Sequence, residues 1–69
     1  MAQKLQELDK IEISLLKLLT KGIQIKEAGK QLGLSESKTY KISSNILKKL
    51  DAKNSANAIY IAYKNGIIK

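Results

Sequence analysis

The chain contains no cysteine and no histidine. Without them there is no thiol nucleophile, no disulfide, no imidazole general base and none of the usual zinc ligand sets. No pair of carboxylates has a distinctive catalytic spacing either, so the sequence predicts neither an enzyme nor a cofactor. Arginine is also missing: all 13 cations are lysines. Lysine neutralises a phosphate as a point charge but lacks the planar fork that reads guanine bidentately. No apolar run approaches the roughly 20 residues of a membrane span, and residues 1–10 carry no apolar signal segment. Proline, low-complexity tracts and repeats are absent as well.

What is present is one short, basic, moderately apolar chain. Its 69 residues are 43% hydrophobic, which suits a globular fold. A chain this small buries only about 60% of its unfolded surface, so the core is thin and pairing with another chain would help it. Thirteen lysines against six acids give a formal charge of +7, which points to a polyanionic partner. No feature suggests a small-molecule ligand.

The apolar spacing is helical throughout and no alternating run reads as a strand, so the fold class is all-α. A first helix is predicted over residues 9–21. Asp9 and Glu12 form an aspartate version of a capping box, and Gly22 suits the position after the helix. Its inward stripe is Leu8, Leu15, Leu16 and Leu19, with Ile11, Ile13 and Leu18 outside it. Residues 1–8 are an N-terminal extension in which Leu5 would face the core if helical. A second helix spans 25–32 with a poor cap at Gln24. A third runs from the Ser35 cap to Leu50, and a fourth covers 55–65. Gly66 ends the fourth helix and lets Ile67 and Ile68 fold back.

Residues 25–50 carry the functional signal. Gly29 stands where the second helix presses on the third, and its missing side chain permits close approach. Gly33 accepts a positive φ in the turn. Leu32 and Leu34 plug the turn into the core, and Thr39 and Ile42 face inward. This is a helix-turn-helix pattern, a unit that places its second helix in the DNA major groove. Unrolled at about 100° per residue, the third helix has Thr39, Ile42, Ser43, Ile46, Leu47 and Leu50 inside. Ser37, Lys41, Ser44 and Lys48 lie opposite, flanked by Lys38, Tyr40 and Asn45, with no acid after Glu36. Cations, hydroxyls and an amide are the groups that meet phosphates and base edges.

Gly22 with Ile23, Lys26 with Glu27, residues 32–36 (LGLSE) and above all residues 44–50 (SNILKKL) resemble the LuxR-type helix-turn-helix domain. That domain is the DNA-binding unit of FixJ/NarL-like response regulators and of the stand-alone regulator GerE. Ala58, Ala62, Gly66 and Ile67 extend the resemblance over residues 8–68. It implies a four-helix fold, a third helix that reads DNA and a fourth that pairs two copies. The family's base-reading positions fall on Tyr40, Lys41 and Ser44, with Asn45 beside them. Phosphate contacts are expected from Lys26, Ser35, Ser37, Lys38 and Lys48. The sequence departs where Lys38 and Thr39 replace the usual Thr-Val, and where Ala28 and Gly29 replace Ile-Ala. The second change reads as lean packing. The Thr39 hydroxyl, aimed at the core, is expected to bond back to a helix carbonyl.

On the fourth helix, Ala58, Ile61 and Ala62 form one side. Ala56, Tyr60 and Tyr63 lie opposite with Ile59 at their edge, and these four are the expected dimer interface. The sequence thus predicts one domain over residues 1–69, double-stranded DNA as partner, a homodimer, and a cytoplasmic, nucleoid-associated location. The chain reads as either a stand-alone regulator or an excised domain, and Met1 before an extra turn favours the first. The alternative is an interaction module that pairs with another transcription regulator through its apolar first and fourth helices.

Overall fold

The computed structural model describes residues 7–68. Within them the chain forms four helices and no strand: α1 Lys10–Thr20, α2 Ile25–Gln31, α3 Glu36–Leu50 and α4 Ser55–Lys64. The observed fold is the expected all-α helix-turn-helix arrangement, and every helix boundary lies within one residue of the sequence expectation. Leu5 lies outside the described residues.

Local chemistry sets the helix starts. The Asp9 side chain accepts from the Glu12 backbone N–H at 3.0 Å, and Glu12 Oε1 accepts from the Asp9 N–H at 2.9 Å. This closes the capping box. Leu8, just before the cap, is not helical; it is buried in the position of a hydrophobic staple. Gln24 makes no side-chain cap bond, as its poor capping chemistry predicts. Ser35 Oγ caps α3 by accepting from Lys38 N–H at 3.2 Å. Asn54, one residue before α4, accepts from Asn57 N–H at 2.8 Å, and the Asn57 side chain accepts from Lys53 N–H at 3.0 Å.

All four helices end with the same closure, three on glycine and one on another residue. At Gly33 (φ 75°) the Leu34 N–H donates to the Gly29 carbonyl at 2.8 Å and the Gly33 N–H to Lys30 at 3.0 Å. These are the two bonds of a Schellman motif. The same pair of bonds ends α1 at Gly22 and α4 at Gly66. It ends α3 at Asp51, a non-glycine residue with φ 53°.

α1 packs on each of the other helices, and α3 packs on α2 and α4 as well. The shared core is Leu8, Leu15, Leu16, Ala28, Ile42, Ile46, Leu50, Ala58, Ala62 and Ile68. Ile68 reaches it because the Gly66 closure turns the chain back over α4, as expected. Ile11, Ile13 and Leu18 also pack against this core and are half-buried.

The expectation of lean packing around Ala28, Gly29 and Thr39 is overturned. Ala28 and Thr39 are at most 1% exposed. A Cβ on Gly29 would come within 2.6 Å of Thr39 Cγ2 and 2.8 Å of its Cβ, and closer still to Oγ1. The two departures from the family pattern are therefore one feature: the Thr39 side chain fills the volume that Gly29 leaves empty.

Candidate nucleic-acid interface

α3 presents two faces of opposite character. Thr39, Ile42, Ile46 and Leu50 are buried. The Thr39 hydroxyl donates to the Ser35 carbonyl at 2.7 Å, which satisfies its buried oxygen as expected. On the other side Ser37, Lys38, Tyr40, Lys41, Ser44 and Lys48 are exposed, and Asn45 is half-buried. Gly29 and Thr39 let the helix sit deep against α2, and its inner stripe locks its rotation. The outer side chains therefore project from a rigid support rather than a loop.

Lys41, Ser44 and Lys48 share the centre of this face with Ser37. Lys38 and Asn45 flank one side and Tyr40 the other. Tyr40 is 50% exposed and borders a shallow depression that Lys26, Ser55, Ala56 and Ile59 also line. The fold thus sets Tyr40, a candidate base contact, on the rim of one depression with Ala56 and Ile59, two candidate dimer contacts. Periodicity within each helix does not relate the two groups.

The candidate phosphate groups differ in their engagement. Lys38 and Lys48 stand free of ion pairs among the described residues. Ser35 uses its hydroxyl oxygen as the helix cap, and its proton remains able to donate. Lys26 reaches from α2 to Glu36 in the first turn of α3, with Nζ 3.3 Å from Oε2. Both side chains are more than half exposed, so this pair contributes about 0–1 kcal/mol and a phosphate can displace it.

A second ion pair escaped the sequence reading altogether. Glu12 is 3% exposed, and its Oε1 accepts from Lys49 Nζ at 2.8 Å as well as from the Asp9 N–H. One carboxylate thus caps α1 and clasps the last turn of α3. The hydrogen bond to Glu12 raises the Lys49 pKa above its ordinary value. Burial opposes the shift, while the Glu12 and Asp9 charges add to it. A signal for this clasp was present: Glu12 lies four residues from both Leu8 and Leu16, inside the apolar stripe, where an acid needs a cation.

On α4, Ala58 and Ala62 are buried, Ile59 is half-buried and Ala56 is exposed. Tyr60 and Tyr63 are 61% and 47% exposed. With Tyr40 they are the large exposed hydrophobic residues among those described. The Lys64 ammonium sits 5.9 Å from the Tyr60 ring centroid. Among the described residues, no group of acids could hold a metal ion and no helix is long and apolar enough to cross a membrane.

The family model GerE, described as bacterial regulatory proteins of the luxR family, matches residues 6–62. No curated protein matches the chain.

Proposed function

Because the chain belongs to the luxR family of bacterial regulatory proteins, a family of DNA-binding regulators and not of enzymes, we propose that it is a sequence-specific transcription regulator whose α3 enters the major groove of double-stranded DNA. The observation that carries this reading is the outer face of α3, exposed, cationic and free of acid after Glu36, on a helix whose inner face is locked into the core. Tyr40, Lys41, Ser44 and Asn45 contact base edges. Lys26, Ser35, Ser37, Lys38 and Lys48 hold the phosphates. Lacking arginine, the face takes its affinity mainly from lysine–phosphate contacts and its sequence choice from hydroxyls, the Asn45 amide and Tyr40.

Three phosphate lysines give each protomer a log affinity that falls with log salt at a slope of about −3. Gel shifts across a salt series on selected duplexes test this. Lys41→Ala and Ser44→Ala should each cost about 1–3 kcal/mol on the preferred site and much less on random DNA. Equal binding by both variants and the parent would overturn the assignment of α3.

Two copies pair through Ala56, Ile59, Tyr60 and Tyr63, setting two α3 helices about one DNA turn apart or somewhat less on a quasi-palindromic site. The exposed tyrosines support this, since a tyrosine supplies much contact area at low entropic cost. Tyr60→Glu should halve the sedimenting mass; an unchanged mass would rule out this interface. The second reading, docking onto another transcription regulator through the apolar first and fourth helices, draws on the same tyrosine face, and a mixed complex would appear once that regulator is added to the sedimentation experiment. A DNA-bound regulator of this kind would work on the nucleoid, in the cytoplasm.

A further inference from the structure

α1 has a second charged face that DNA reading by α3 leaves unused. Lys10, Ser14, Lys17 and Lys21 fall within about 60° of one another around the helix. The lysines are exposed and Ser14 half-buried. The only acid between Lys10 and Lys21 is Glu12, which points into the core and is neutralised by Lys49. Among the described residues the ion pairs are Lys26–Glu36 and Glu12–Lys49, so all three stripe lysines are unpaired.

The surroundings of the stripe are not those of an ordinary solvated face. Lys17 and Lys21 form a ridge between two shallow depressions. One is lined by Ser14, Leu18, Gln31 and Leu32; the other by Thr20 and the returning chain at Gly66, Ile67 and Ile68. Leu18, Leu32 and Ile67 are half-buried and show apolar surface on either side of the cations. No residue of α3 lines either depression, so the ridge is distinct from the DNA-facing side.

We propose that this face of α1 docks an acidic amphipathic segment of a protein partner. Carboxylates would meet Lys10, Lys17 and Lys21, and apolar side chains would enter the flanking depressions. Charge complementarity selects an acidic occupant. The apolar walls favour a polypeptide over a second DNA duplex, because phosphates offer nothing to cover Leu18, Leu32 and Ile67. A regulator holding DNA with α3 could thereby hold an acidic protein at the same time.

The test uses the full chain, isotope-labelled, and three probes: a synthetic helical peptide with glutamates on one face and leucines on the other, poly-glutamate of equal charge, and a DNA duplex. The peptide should shift the amides of Ser14 to Lys21, Gln31, Leu32 and Gly66 to Ile68. Lys17→Gln with Lys21→Gln should weaken it about tenfold. Lys41→Gln with Lys48→Gln removes the same charge from α3 and should change it less than about twofold. The proposal is overturned if the two double variants weaken the peptide equally, if poly-glutamate binds as tightly, if the duplex shifts the same α1 amides, or if the peptide leaves them unmoved.

Discussion

Near its start α3 is held by shape. Thr39 occupies the space of an absent Gly29 side chain, and its hydroxyl closes on the Ser35 carbonyl. Near its end the same helix is held by charge, through Lys49 bound to the buried Glu12 carboxylate. The steric joint is insensitive to salt and pH and tolerates no added atom. The ionic joint tolerates changes of shape, because lysine is long and flexible, but depends on both groups being ionised. The end with the candidate base contacts Tyr40 and Lys41 thus has the stiffer attachment.

That contrast can be broken from either side. The largest effect is expected from Gly29→Val, which forces branched carbons into Thr39 and should cost at least about 3 kcal/mol of unfolding free energy. Thr39→Ala in the same chain should recover part of the loss, and thermal melts of the four variants in a double-mutant cycle would measure it. Additive effects would mean that the two residues do not share one space.

Breaking the ionic joint should follow. Lys49→Met leaves the Glu12 carboxylate buried without its cation and should lower the melting temperature at neutral pH. Since the folded-state pKa of Lys49 is raised, the stability it lends is fully present below the unfolded lysine value near 10.5. It is lost as pH rises through the higher folded value. The melts of the parent and Lys49→Met should therefore begin to converge above pH 10.5 and meet only once pH passes the higher folded value. A difference that stays constant with pH would assign Lys49 a packing role instead.

The smallest effect concerns how α3 ends. Asp51 holds a φ of 53° where α1, α2 and α4 close on glycine. Asp51→Gly removes that strain and should stabilise the domain by about 0.5–1 kcal/mol, read as a small rise in melting temperature. A loss of stability would indicate that the Asp51 side chain has a role its geometry does not reveal.

Much of the fold was legible because it rests on neighbours in sequence. The Asp9–Glu12 box, the Ser35 cap and the closures at Gly22, Gly33 and Gly66 involve residues within about a turn of one another. The inner and outer faces of α3 follow from helical period alone. The need for an absent side chain at Gly29 was legible too. What was misread was its consequence, since two small substitutions seen separately suggest a gap, whereas Thr39 fills it.

The amino-acid sequence by itself determined four helices, their caps, the glycine turn and the acid-free outer face of α3, because these depend on local backbone chemistry and periodicity. Only the tertiary structure decided which charges meet. Glu12 and Lys49 lie 37 positions apart. Lys26 and Glu36 sit on different helices, and Tyr40 shares a depression with Ala56 and Ile59 because α4 lies against α3. The same packing drew Ile11, Ile13 and Leu18 partly into the core and left lysine as the exposed surface of α1. Side-chain partners across helices depend on how the helices cross, and helical periodicity alone does not specify that.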